Sequence, residues 1–125
     1  MAAQEVQVEL QPQPASAAEA RRVVGRALRA MDPRSRDIGV LLASELVTNA
    51  LLYAQGRITL RVTPMDERVR VSVLDNSHTE VHPRRVSPDA TSGRGLALVE
   101  QLSTAWGVEL IPDDGKVVWF ELPRP

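Results

Sequence analysis

Two polar residues of the segment Ile38 to Ala54 stand where an ordinary amphipathic helix would carry leucine. The segment IGVLLASELVTNALLYA predicts a long helix, because apolar residues recur at three- and four-residue spacing without a proline. Glu45 and Asn49, one turn apart, fall within the predicted apolar face. That face is formed by Ile38, Leu41, Leu42, Leu46, Leu52 and Tyr53.

Burial of this polar pair would be costly without partners. An unpaired carboxylate costs several kcal/mol, and an unpaired amide costs roughly 1–3 kcal/mol. Two interpretations follow. Either a nearby arginine holds Glu45 and the backbone bonds Asn49, or the two side chains line a cleft that opens onto the helix.

Two further segments carry features that could bind a ligand. Asp75 ends a valine-rich strand where a long loop begins, although an acid there is also an ordinary turn residue. The run Ser92-Gly93-Arg94-Gly95-Leu96 predicts a helix start, where bare backbone N–H groups and the helix dipole favour an anion such as phosphate. A capped helix with a flexible entry is the alternative.

The elements that must position these residues follow from the periodicity of the chain. Residues 4–10 alternate as a strand, and Ser16 with Glu19 predicts a capping box for a helix that runs to about Met31. Pro33 starts the second helix. A hairpin, a loop over residues 77–92, a third helix and a second hairpin complete the predicted order β-α-α-β-β-loop-α-β-β. This order predicts an α+β fold, a two-layer sandwich whose mixed, mostly antiparallel sheet has helices on one face.

Length and composition limit the function. The 125 residues predict one domain, with a strand and linker over residues 1–14 and the ligand-binding unit over residues 15–125. The net charge of −1 gives no basic footprint, so we expect no direct contact with nucleic acid. Cysteine is absent, which excludes thiol catalysis and thiolate metal sites. The sequence shows no long apolar run and no signal peptide, so we expect a cytoplasmic protein away from the membrane.

Taken together in this order, the three segments resemble the ATP-binding fold shared by gyrase, Hsp90, sensor histidine kinases and MutL proteins, called the GHKL or Bergerat fold. The similarity is closest to its small stand-alone members, the bacterial anti-sigma-factor serine kinases. SELVTNALLYA resembles their N box, VSVLDNS the strand of the first glycine box, and SGRGLALVEQLSTAWGVE the second glycine box with its helix. GKVVWFEL resembles the last strand, so the resemblance covers roughly residues 16 to 122.

The resemblance implies a role for each matching residue. Asn49 would coordinate the Mg²⁺ that bridges the phosphates of ATP, and Glu45 would be the general base toward a serine of a partner protein. Asp75 would accept a hydrogen bond from the adenine amino group. The backbone amides of Gly93, Arg94, Gly95 and Leu96 would bind the phosphates, and residues 77–91 would form the lid over ATP.

The resemblance also implies partners. The protein would bind a sigma factor and phosphorylate an anti-sigma antagonist protein, and relatives of this size are commonly homodimers. Some positions depart from the family pattern: Ser77 replaces a glycine, Tyr53 a residue that is often basic, and Lys116 and Val117 stand where a threonine often reaches adenine. These departures motivate an alternative, a GHKL-fold protein-binding module that no longer turns over ATP. His78 and His82 in the loop are interpreted as exposed residues rather than metal ligands.

Overall fold

A computed structural model of the protein describes residues 5–53, 56–76, 91–111 and 115–124. The elements follow the predicted order. They are β1 (Val6–Leu10), α1 (Ala15–Ala27), α2 (Pro33–Tyr53), β2 (Ile58–Pro64), β3 (Arg68–Asp75), α3 (Thr91–Leu102), β4 (Ala105–Ile111) and β5 (Gly115–Pro123).

The five strands form one sheet in the order β1-β2-β3-β5-β4, and each described pairing is antiparallel. The α+β class predicted from the sequence is confirmed. Strand β5 lies between β3 and β4, so the two strands joined through α3 run in the same direction without pairing. Every ladder among the described strands is therefore antiparallel, although a mixed sheet was expected.

One face of the sheet is buried against the helices. Alternate residues of each strand point to this face, as the two-residue period of a strand requires. The core comprises Leu10, Ile58, Leu60, Val62, Val69, Val71, Val73, Val118, Phe120 and Leu122 from the strands, with Val24, Leu28, Leu42, Leu46, Val47 and Val99 from the helices. Burial of each such side chain contributes roughly 1.5–3 kcal/mol relative to exposure. No helix in the described part of the chain is long and apolar enough to cross a bilayer.

The start of α1 differs from the predicted capping box. Ser16 is buried inside the first turn, and its hydroxyl donates to the carbonyl oxygen of Gln11 at 2.6 Å instead of capping the helix. Pro14 occupies the N-cap position without a side-chain hydrogen bond. The capping-box prediction is therefore wrong, because the hydroxyl bonds the preceding connector. The helix also ends at Ala27, four residues before the predicted end at Met31.

Helix α2 begins as the sequence predicts. Pro33 is its first residue, and the Asp32 carboxylate accepts a hydrogen bond from the backbone N–H of Ser35 at 3.0 Å. This hydrogen bond lowers the pKa of Asp32 from its usual value. Asp32 thus caps the helix that carries Glu45 and Asn49.

Candidate functional site

Helix α2 places Asn49 and Glu45 differently. Asn49 is buried, with 5% of its surface exposed, whereas Glu45 is half-buried. The buried face of α2 comprises Leu42, Ala43, Leu46, Val47, Asn49 and Ala50. Leu41 and Leu52, which were predicted to share this face, are 41% and 56% exposed. Glu45 therefore stands at the margin between the core and an exposed apolar strip, and its predicted place in the middle of the buried face is wrong.

Asp75 lies at the end of β3 on the side of the sheet that faces the helices. It follows Val69, Val71 and Val73 in the alternation of buried residues, and it is only 2% exposed. Its partner across the ladder is Lys116 of β5. Side chains at directly opposed positions of an antiparallel pair point to the same face with Cβ atoms about 4.5–5.5 Å apart. The acid predicted to bind adenine is thus adjacent to a cation.

Lys116 is fully buried, and it is the single lysine of a chain that contains 14 arginines. Burial lowers the pKa of Lys116 from its usual value, and the charge of Asp75 acts in the opposite direction. An ammonium group is buried only where a partner offsets the loss of hydration. Sequence reasoning recognised Lys116 only as a departure from the family pattern. The signal that could have revealed more was the isolated lysine itself.

The ends of α2 and β3 lie close together. A Cβ built on Gly56, shortly after α2, would stand 3.0 Å from Nδ2 of Asn76, which follows Asp75. Gly115, at the start of β5, approaches the same place more closely, because a Cβ there would stand 1.9 Å from the carbonyl oxygen of Asp75. The segments after Asn49, after Asp75 and before Lys116 therefore meet at one end of the molecule.

The second glycine segment belongs to α3. Gly93, Arg94, Gly95 and Leu96 are the third to sixth residues of this helix, which packs against α2. The first four N–H groups of a helix have no intrahelical acceptor, and those of Gly93 and Arg94 are among them, at the position where helices bind anions. The amides of Gly95 and Leu96 follow directly, where helical N–H groups bond to carbonyls four residues earlier.

The predicted lid falls largely outside the described residues. Ser77, His78 and His82 lie in the part of the chain, residues 77–90, that the structure does not describe. Their predicted roles stay predictions.

The donor set of α2 fits a magnesium ion that arrives with phosphates. Asn49 supplies an amide oxygen, and the Glu45 carboxylate lies one helical turn away. Mg²⁺ prefers such hard oxygen ligands and usually completes its octahedron with water and substrate phosphate. Within the described ranges, no three acidic or histidine side chains cluster as a metal site. This donor set suits an ion shared with a nucleotide better than a cage made of protein alone.

Comparison with known families agrees with this geometry. The sequence profile of the family described as the histidine kinase-like ATPase domain matches residues 10–122 of the chain. The chain therefore belongs to the histidine kinase-like ATPase domain family, the GHKL class, whose members bind ATP, usually with Mg²⁺. Comparison with curated proteins gave no significant match.

Proposed function

We propose that the protein is an ATP-binding regulator that binds a sigma factor and phosphorylates a serine of an anti-sigma antagonist protein. The observation that carries the proposal is the contrast between Asn49 and Glu45, one turn apart on α2. The amide is buried between the layers, and the carboxylate reaches the surface. A site that binds a nucleotide and also admits a partner protein needs one buried polar side chain for the nucleotide and one accessible side chain for the partner.

Each residue of the pair has a distinct task in this proposal. Asn49 would hold the magnesium ion from inside the fold. ATP, when bound, would supply the phosphoryl group. Glu45 would accept the proton of the partner's serine hydroxyl while the serine oxygen bonds to the γ-phosphorus and ADP leaves. Its partial exposure supports this role, because a general base must come within hydrogen-bond distance of a hydroxyl on another protein.

The surface beside Glu45 supports a protein substrate. Leu41 lies one turn before Glu45, Leu52 lies two turns after it, and both side chains are exposed. Residues at these spacings share one side of a helix. Exposed apolar side chains beside a reactive group favour contact with a protein surface over a small polar substrate.

Nucleotide binding is tested first, by thermal unfolding with Mg-ADP and Mg-ATP. A ligand at 100 times its dissociation constant stabilises the native state by about 2.7 kcal/mol, which raises Tm by roughly 5–15 °C in a chain of this size. The absence of any shift at millimolar nucleotide would refute the nucleotide function. The Asn49→Ala variant should lose the part of the shift that depends on Mg²⁺.

Phosphotransfer is tested with the Glu45→Ala variant. It should retain the thermal shift with Mg-ATP but lose transfer of radioactive phosphate to a serine of a protein captured from the native cytoplasm. Asp37→Ala is the matched control, since Asp37 is an exposed carboxylate on the same helix. A normal transfer rate in the Glu45→Ala variant would show that another group is the base.

Lys116 favours a second candidate function. A buried ammonium beside Asp75 can engage the carboxylate that adenine would otherwise bind. The chain would then be a binding module that sequesters a partner in transcription without using ATP. Capture of the same partner with and without ATP distinguishes the two functions, since only the regulator that uses nucleotide should respond to ATP. The homodimer remains a prediction.

A further inference from the structure

We propose that Lys116 reads the nucleobase together with Asp75, so that the site accepts 6-oxopurines such as guanine and hypoxanthine as well as adenine. The proposal rests on the nucleotide-binding function proposed above and deepens it. It assigns a specificity-determining role to a side chain of β5. The observations behind it are the cross-strand position, the burial and the isolation of this lysine.

The position of Lys116 relative to Asp75 is fixed by the backbone. The two residues are directly opposed in the β3–β5 ladder, and both face the layer between sheet and helices. Gly115 precedes Lys116 with φ of 112°, a conformation that L side chains rarely adopt. Its close approach to the carbonyl of Asp75 holds the start of β5 against the end of β3. The Cα atoms of Lys116 and Asp75 therefore stay opposed as long as the register of the ladder is kept.

The choice of lysine at this one position is informative. The chain contains 14 arginines and a single lysine, Lys116, and this lysine is fully buried. A guanidinium forms a planar fork that matches a carboxylate bidentately, which would occupy both oxygens of Asp75. An ammonium is a compact donor with three N–H bonds. It can contact Asp75 and still donate to a neighbouring ligand atom.

The chemistry of the pair determines which bases fit. A carboxylate only accepts hydrogen bonds, so Asp75 alone would bind the 6-amino group of adenine and repel the 6-oxo oxygen of guanine. An ammonium only donates, so Lys116 gives that oxygen a partner while Asp75 accepts from the adjacent N1–H. Adenine also satisfies the pair, through its amino group and its ring N1. Lys116 thus removes the main reason for rejecting a 6-oxopurine.

The test measures the affinities of Mg-ADP, Mg-GDP and Mg-IDP by calorimetry. The wild-type chain should bind all three with Kd values within about tenfold of one another. Lys116→Met, which removes the charge but keeps the length, should weaken GDP and IDP about 10- to 100-fold relative to ADP, as expected for loss of a charged hydrogen bond. Because the readout is a ratio within one variant, a general loss of stability does not imitate it.

A matched control removes a cation elsewhere. Arg61 is exposed on β2, and its Nε donates to Oε1 of Gln7 at 3.0 Å on the side of the sheet away from the helices. Arg61→Met should leave the ratio of GDP to ADP affinity unchanged. If the Lys116→Met variant does not fold, Lys116→Thr provides a shorter neutral replacement.

The possible results separate the two proposals. Binding of ADP together with rejection of GDP and IDP by more than about 100-fold in the wild type overturns the role of Lys116 and leaves the nucleotide function standing. Failure of all three nucleotides to bind contradicts the nucleotide function, and this inference with it. An unchanged ratio in the Lys116→Met variant also overturns the inference.

A spectroscopic measurement tests the contact without any substitution. Because the chain has one lysine, expression with lysine labelled by ¹³C in the side chain gives a single lysine spin system. Its terminal methylene resonance should shift on saturation with GDP or IDP. A resonance that stays in place while calorimetry shows GDP bound would rule out contact between Lys116 and the base.

Discussion

The β3–β5 ladder carries a buried carboxylate on each of its two faces, and their surroundings differ. On the face away from the helices, Glu121 accepts hydrogen bonds from Arg68 at 2.9 Å and from Arg70 at 2.8 and 2.6 Å. Its side chain is 5% exposed, whereas the two arginines are 46% and 40% exposed. On the helix-facing side, Asp75 is opposed by Lys116, and both residues are buried.

Glu121, Arg68, Arg70 and Trp119 form an open-face cluster, named for the sheet face away from the helices, and its role is structural. Arg70 also stacks over the ring of Trp119, with 4.1 Å from its guanidinium carbon to the ring centroid. Trp119 in turn packs on Gly107, where an added Cβ would stand 2.7 Å from the ring. These contacts cover Glu121 with groups that keep part of their hydration. The cluster therefore closes a sheet face that no described helix covers.

On the helix side, the cation is buried as well as the carboxylate. Burial of both partners makes the charged ammonium more expensive to maintain, and this cost is the basis of the specificity proposed for Lys116. The comparison separates two kinds of buried carboxylate. The half-exposed arginines around Glu121 are typical of a structural cluster. The fully buried Lys116 opposite Asp75 is the less common arrangement, and it is the one on which the proposed specificity depends.

We call the buried residues Asp75 and Lys116 the interior pair. The largest expected loss of stability concerns Gly115, the glycine that packs against the backbone of this pair. Gly115→Ala should destabilise the protein by about 3–4 kcal/mol, because it combines an unfavourable φ with a backbone clash at Asp75. Gly107→Ala on the open face should cost less, about 1–2 kcal/mol, since a side chain rather than backbone must move. Urea unfolding measures both.

The control for these substitutions is Gly25→Ala. A Cβ on Gly25 of α1 would meet the side chain of Val40 on α2 at 3.6 Å, an ordinary van der Waals contact between the two helices. The alanine should stabilise the protein by about 0.5–1 kcal/mol. Equal losses in the free energy of unfolding for Gly115→Ala and Gly107→Ala would contradict the expected difference between the two faces of the sheet.

The two arginines of the open-face cluster should differ in their contributions. Arg70→Met should cost about 1.5–2 kcal/mol, because it removes two hydrogen bonds to Glu121 and the stack on Trp119. Arg68→Met removes one hydrogen bond and should cost about 0.5–1 kcal/mol, since exposed partners are screened by solvent. Thermal unfolding of the two variants gives the comparison, and a larger loss for Arg68→Met would count against the assigned stack.

Acid should weaken the open-face cluster. Burial raises the pKa of Glu121, but the hydrogen bonds and charges of Arg68 and Arg70 outweigh it and leave the pKa below its usual value of 4.5. The unfolded chain therefore binds the proton first. The stabilisation by Glu121 is complete above about pH 4.5 and is lost as the pH falls through the lower folded pKa.

The Glu121→Gln variant isolates this contribution. As the pH falls below the usual carboxyl pKa of 4.5, its free energy of unfolding should fall less steeply than that of the wild type. Asp32, whose pKa is also lowered, contributes to the same window in both proteins and cancels in the difference. Identical slopes would mean that Glu121 is not held as an ion.

The smallest expected effect is a gain in stability when Asn49 is replaced. Asn49→Leu should stabilise the protein without ligand by up to about 1 kcal/mol, because apolar volume replaces a buried amide. The same variant should lose the response to Mg-ADP. A marked fall in Tm would instead indicate that the amide is bonded inside the fold as a structural group. Asn49 would then resemble Glu121 rather than the interior pair.

The order of elements could be predicted because it depends on local signals. The two-residue period of Val69, Val71 and Val73 predicted the strand that Asp75 ends, and the structure adds that Asp75 continues its buried face. The glycines of α3 and the proline at position 33 marked helix starts in the same way. Capping at Ser16 failed, because a nearby carbonyl competed for the same hydroxyl.

The partners of the charged residues could not be predicted. The contacts of Glu121 with Arg68 and Arg70, and the opposition of Lys116 and Asp75, depend on the β3–β5 register, which joins positions about 40–50 residues apart. The buried face of α2 also required the structure. Helical period alone does not decide whether Leu41 or Val47 is covered, because a broad apolar surface allows more than one orientation.

The isolated lysine has a practical consequence. Reagents that acylate side-chain amines have one target in this chain, Lys116, and its side chain is buried in the native state. Their rate of incorporation therefore measures how often the layer between sheet and helices opens. Mass spectrometry of the peptide that contains Lys116 measures this opening separately from acylation of the N-terminal amine.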